Sequence, residues 1–201
     1  MTIGFARLFT PALCIVAVAV PLSAEAADPA AVPVAALDDG LLSIMKAGGS
    51  VASRSAAIGP VVDRAFDLPL MTRLAIGPSW TGIAPADQQA LIAAFRRMTI
   101  GQYARNFDGW SGESFTLDPK VQTRGGDRLV RTTLNIPGKT GETLSYRLRQ
   151  NGGAWKIIDV FYRNAISQIA TRRADFAGVL AKGGAKALIA HLDALATKSA
   201  G

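Results

Sequence analysis

Few side chains in this sequence could do chemistry. Cys14 is the only thiol and His191 the only imidazole. One cysteine excludes a disulfide framework and a cysteine-built zinc site. One histidine excludes most histidine-based metal and triad chemistry, and His191 has no second ligand at metal spacing. Ser167 lacks the flanking glycines of a nucleophile elbow. Gly125-Gly126-Asp127 reads as a turn rather than a phosphate-binding loop. No metal and no cofactor are therefore expected. Asp159 is the acid that stands out, because alternation over Trp155–Phe161 puts it on one face with Trp155, Ile157 and Phe161. Burial on an apolar face raises a carboxylate pKa toward that of a general base. The same position also suits an acid paired with an arginine, or one lying past the sheet edge.

The elements that must position these residues begin after an address. Arg7, the apolar run Leu8–Leu22 and Ala24-Glu25-Ala26 form the three parts of a secretory signal, which predicts cleavage after Ala26. The apolar run is too short, and too broken by Pro11 and Pro21, to be read as a membrane span. Residues 1–26 contain one base (Arg7) and one acid (Glu25), so the formal charge of +7 is the same before and after cleavage. A basic exported protein suits anionic lipid or an acidic protein surface better than nucleic acid, and the same charge also suits a solvated basic surface with no partner.

Ala27–Pro33 is rich in alanine and proline and is expected to be a flexible leader, followed by one domain over residues 34–201. Helical spacing runs through Val34–Ala47, Ser50–Ile58, a segment opened by Gly59-Pro60, and Leu70–Ile76. Pro85–Phe107 carries the clearest stripe, Leu91, Ile92, Phe95, Met98, Thr99 and Tyr103. The period then changes to two. Glu113–Arg124 is extended with a break near Asp118-Pro119. Arg128–Ile136, Glu142–Gln150 and Trp155–Phe161 follow as strands joined by short turns. Asn164–Leu180 and Ala185–Thr197 are helices separated by Lys182-Gly183-Gly184. Helices, then hairpin-linked strands, then helices predict an α+β fold with an antiparallel meander covered on one face.

Short motifs follow one another along the chain. The first half carries Asp63-Arg64-Ala65-Phe66-Asp67, Met71 and Ile76-Gly77-Pro78-Ser79-Trp80, then Phe95 and Tyr103-Ala104. The second half carries Thr132-Thr133-Leu134, Tyr146-Arg147-Leu148, Trp155–Val160, Ile166-Ser167, Arg172–Phe176 and Gly183-Gly184. In this order they resemble the MlaC/toluene-tolerance family of periplasmic lipid carriers. The segments Tyr103–Asp108 and Ser167–Arg173 are most similar to the hopanoid-associated branch. Asn164-Ala165 departs from the glycine that many members carry before Ile-Ser.

This resemblance implies a cavity between sheet and helices that holds lipid tails, with the headgroup near solvent. Candidate lining residues are Trp80, Phe95, Met98, Tyr103, Val130, Leu134, Tyr146, Leu148, Trp155, Ile157 and Phe161. It also implies partners: a phospholipid or hopanoid, and inner- and outer-membrane complexes, one of them driven by an ATPase. Arg96, Arg97, Arg105, Arg147, Arg149, Arg172 and Arg173 are the candidate docking cations, on a protein expected to be monomeric. Two other readings stay open at this point. One is a small cone-shaped α+β enzyme with Asp159 as base; the other is an adaptor subunit with a solid core.

Overall fold

The computed structural model describes residues 28–163 and 165–198; the expected signal segment, Cys14 included, lies outside them. The strands are β1 (Ser114–Leu117), β2 (Gln122–Arg124), β3 (Asp127–Asn135), β4 (Glu142–Asn151), β5 (Ala154–Tyr162) and the short β6 (Ile166–Ser167). They form one antiparallel sheet in the order β1-β3-β4-β5-β6, with β2 also beside β3. The break expected near Asp118-Pro119 divides one edge into β1 and β2, both paired with β3. The β4–β5 hairpin turns on Gly152 (φ 57) and Gly153 (φ 84). Positive φ at both central residues is the geometry of a tight hairpin turn that only glycine adopts without cost.

One irregularity decides which side chains meet. Leu148 pairs with Ile157, but Arg147 pairs with Asp159, so Ile158 is an extra residue in β5. A single inserted residue reverses the facing of everything beyond it. The expected alternation therefore fails after Ile157. Val160 and Tyr162, opposite Tyr146 and Leu144, share the inner face, whereas Asp159 and Phe161 are paired with the outer-facing Arg147 and Ser145.

The helices are α1 (Ala31–Ala47), α2 (Val51–Ala65), α3 (Leu68–Ile76), α4 (Pro85–Asn106) and α5 (Gln168–Thr197), with a 3-10 turn at Gly77–Gly82. The expected leader is corrected: α1 already includes Ala31–Pro33, and Ala30 is fully buried. Pro33 is tolerated because the N–H groups of a helix's first turn have no helical partner. The Asp28 carboxylate accepts from Ala30 N–H at 2.9 Å and pairs with Arg128 at 3.3 Å, tying the start of the domain to β3. The two helices expected around Gly59-Pro60 are one. Pro60 removes a helical bond, but Ile58, Val62 and Ala65 keep one buried stripe across it. α5 starts at Gln168 rather than Asn164 and is kinked at Gly184 (φ 66), where Lys182-Gly183-Gly184 predicts a break.

The helices cover the inner face of the sheet. Val34, Leu37 and Leu41 of α1, Ile58 and Val62 of α2, Leu91 and Phe95 of α4, and Leu188 and Leu192 of α5 are buried in one core with Val130, Leu148 and Ile157 of the sheet. At Gly101 a Cβ would lie 2.6 Å from the Ala196 carbonyl oxygen, so α4 and α5 meet there at backbone distance. No helix among the described residues is long and apolar enough to cross a membrane.

Candidate functional site

Near the β3–β4 turn the sheet and helices part and enclose a cavity of about 700 Å³. That is within the roughly 300–1,000 Å³ range of small-molecule sites. Its floor is apolar and buried: Met45 of α1, Phe66, Met71 of α3, Phe95 and Met98 of α4, Tyr146 of β4 and Ile169 of α5. Leu134, Ile136, Leu144, Val160 and Tyr162 form the sheet wall. Asn106, Asp108 and Tyr162 are exposed and open it to solvent. Along one side the rings of Phe66, Tyr103, Phe107 and Phe115 follow one another with centroids 5.8, 6.0 and 6.3 Å apart.

Of the expected lining residues, Phe95, Met98, Tyr103, Leu134 and Tyr146 do line the cavity. The other expectations are corrected. Val130, Leu148 and Ile157 are fully buried in the solid core, where helix and sheet touch. Trp155 lies at the far end of β5 beneath the Arg128 guanidinium, 5.1 Å from its ring centre. Trp80 sits in the 3-10 turn, packed on the core's edge. Phe161 leaves the cavity face because of the extra residue Ile158.

Some lining residues were legible but passed over. Leu144 and Ile136 share the alternation of Tyr146 and Leu134. Gln102 and Asn106 continue the α4 stripe of Phe95, Met98, Thr99 and Tyr103 at helical spacing. Met45 and Phe66 close the apolar stripes of α1 and α2, and Met71 lies within α3; spacing marks them as buried but not as facing a cavity.

The bulge also removes Asp159 as a base in the cavity. Its carboxylate accepts from Ser167 Oγ at 2.6 Å, Val160 N–H at 2.8 Å and Ile169 N–H at 3.1 Å. Ser167 in turn caps α5 by accepting from Ala170 N–H. Asp159 thus anchors a helix start, where a negative charge is favoured. An acid buried close to the cavity is instead Asp38 of α1, only 5% exposed and, among the described residues, with no partner for Oδ1. Burial, and secondarily the charge of Asp39, raises its pKa to about 8. Burial likewise raises the phenol pKa values of Tyr103 and Tyr146, with an Asp38 charge adding to both. Burial therefore favours the neutral forms of Asp38, Tyr103 and Tyr146. His191 lies on α5, and among the described residues no group of three His, Cys, Asp or Glu could hold a metal ion.

The expected docking arginines do not form one patch. Arg96 is bonded to Asp63 through two 2.7 Å contacts, and Arg97 to Asp193. Arg147 and Arg149 share Asp127 on the outer face. Arg105 donates to the carbonyls of Leu195 and Ala196, and Arg173 to that of Leu74. Arg172 lines the cavity itself and donates to Gln102 Oε1 at 2.8 Å.

The sequence profile of the MlaC protein matches residues 36–194. No curated protein matches the chain. Among solved structures, the chain is similar to a phospholipid-binding protein from Ralstonia solanacearum, solved in complex with a phospholipid. The TM-score is 0.72 at 23% identity, over 83% of this chain and 96% of that one.

Proposed function

The chain belongs to the MlaC family, and from that premise we propose that it is a periplasmic lipid carrier. In this reading a cleaved signal exports it, and it takes a membrane lipid, phospholipid or hopanoid, between inner and outer membranes as the soluble part of a transport system. The observation that supports it is the cavity of about 700 Å³, apolar at its floor and open at its rim. The similar Ralstonia solanacearum protein was solved with a phospholipid bound, which agrees with a lipid-sized occupant.

The physics favours a carrier. Each CH₂ withdrawn from water gains ~0.8 kcal/mol, so a sixteen-carbon tail gains on the order of ten. A free lipid does not cross an aqueous gap at a useful rate, and a cavity that replaces the bilayer removes the barrier without a covalent step. The same magnitude means that release needs a docked partner or an opening of the cavity. The resemblance of Tyr103–Asp108 and Ser167–Arg173 to the hopanoid-associated branch keeps a hopanoid among the cargoes.

The test is native mass spectrometry of the mature protein isolated without detergent. One lipid per chain is expected, and Val160→Trp, which places an indole in the cavity, is expected to remove it. A clean apo mass, unchanged after incubation with phospholipid or hopanoid, overturns the carrier and leaves the adaptor reading.

A further inference from the structure

Among the described residues that line the cavity, Arg172 is the only basic one, and it is half-buried there. Its one hydrogen bond among the described residues goes to the neutral amide oxygen of Gln102. Among the described residues no carboxylate lies within ion-pair distance of it. Arg96, Arg97, Arg147 and Arg149 all have carboxylate partners; Arg105 and Arg173 hold backbone carbonyls. Withdrawing a guanidinium from water costs free energy unless an anion meets it. Burial lowers the Arg172 pKa from the ordinary arginine value, with Asp175 acting in the opposite direction.

The acids that share the cavity do not supply that anion. Glu142 is bonded to Arg163 at 3.1 and 3.2 Å, Glu113 accepts from Ser111 N–H, and Asp108 is exposed at the rim. Beside Arg172, Gln102 and Gln168 add neutral amide groups, and Met98, Phe95 and Ile169 begin the apolar floor. A cation with free donors, set between polar rim and apolar floor, fits an amphiphile whose anion sits where headgroup meets tail.

We infer that Arg172 is a headgroup subsite that binds the phosphodiester of a glycerophospholipid whose tails occupy the apolar floor. This deepens the carrier reading and rests on it. It makes the cavity select a phospholipid over an uncharged lipid of equal bulk, a neutral hopanoid included. Gln102 holds the guanidinium toward the cavity without ion-pairing it, and Asp175 acts on it only at longer range. The paired carboxylates of Asp127 and Asp63 show what this chain does where an arginine is structural.

The experiment compares dioleoyl phosphatidylglycerol with dioleoylglycerol, which carries the same tails without the phosphodiester, on the full mature protein. Wild type is expected to bind the phospholipid about ten- to a hundredfold more tightly, the range for a hydrogen bond to a charged group. Arg172→Gln should lose that preference by weakening phosphatidylglycerol alone, and Arg172→Lys should keep part of it. Gln102→Glu, which supplies an internal carboxylate and leaves Arg172 in place, should weaken phosphatidylglycerol as well, so a folding defect in one variant does not decide the result. Equal affinity of wild type for the two lipids overturns the inference while leaving the carrier standing. Tight binding of inorganic phosphate, with phosphatidylglycerol affinity untouched in Arg172→Gln, overturns it in favour of a free-phosphate site. Failure of wild type to bind both lipids overturns the carrier reading itself, and the subsite with it.

Discussion

The two faces of the sheet treat charge in opposite ways. On the outer face Asp127, 2% exposed, is gripped by Arg147 at 2.6 Å and by Arg149 at 2.7 and 2.9 Å. These bonds, that of Arg149 first, hold the Asp127 carboxyl below its usual range. On the inner side, Asp38 is buried without a partner for Oδ1, and Arg172 enters the cavity with only a neutral amide. Both regions had arginines and aspartates to pair. The outer face closes its charges into a structural cluster. The inner side leaves a neutralised acid behind the cavity and a cation without an ion-paired carboxylate within it, an arrangement that an anionic occupant would complete.

The sharpest way to break this contrast is at Asp38. Its pKa is raised from 3.8 to about 8, so the folded state keeps a proton that the unfolded chain releases at 3.8. Stability from this group is fully present below 3.8 and is lost as pH rises toward 8. Asp38→Asn removes the penalty. The variant should match wild type in acid and exceed it increasingly with pH, by at most on the order of 5 kcal/mol near pH 8. Urea unfolding of both proteins across that range measures it. A difference independent of pH would mean that Asp38 is ionised in the folded state.

The outer cluster carries the opposite sign. Asp127 has a lowered pKa, so its contribution is present above 3.8 and is lost as acid protonates the folded form. Asp127→Asn leaves two arginines side by side on β4 without their acid. Breaking a buried pair costs about 3–5 kcal/mol. Here the arginine side chains are 46% exposed, and solvent screening reduces the loss to about 2 kcal/mol. Chemical denaturation at neutral pH reads it, and lipid occupancy should not change. Loss of bound lipid in this variant would mean that the two faces are coupled.

Much of the fold was legible because its signals are periodic. The α4 stripe, the three long strands, the glycine hairpin and the break at Gly184 all follow from spacing or from paired glycines. The site was only half legible, for two physical reasons. Sequence alternation cannot see an inserted residue: Ile158 looks like any other apolar strand residue, yet it exchanges Val160 and Tyr162 for Asp159 and Phe161 on the cavity face. Nor does sequence show where two apolar surfaces touch and where they part. Val130 and Tyr146 are direct partners on β3 and β4, but only Tyr146 reaches the cavity. The arginines show a similar limit. Arg172 and Arg173 are adjacent, yet one faces the cavity and the other clamps the α3 carbonyl of Leu74, a difference set by the start of α5.

That start gives the smallest test, at Asp159. Its carboxylate joins β5 to the first turn of α5 through Ser167 and Ile169, and so fixes the rotation that carries Gln168, Ile169 and Arg172 to the cavity. Asp159→Asn keeps one acceptor oxygen and loses the charge that favours a helix start. A loss of about 1 kcal/mol is expected, the worth of a helix cap. For a chain of this size that is a fall of about 3 °C in Tm by calorimetry. Bound lipid should persist, because the side chain lies outside the cavity. If occupancy falls while Tm holds, Asp159 acts on the cavity directly, and the division between a structural outer face and a binding inner one does not hold at β5.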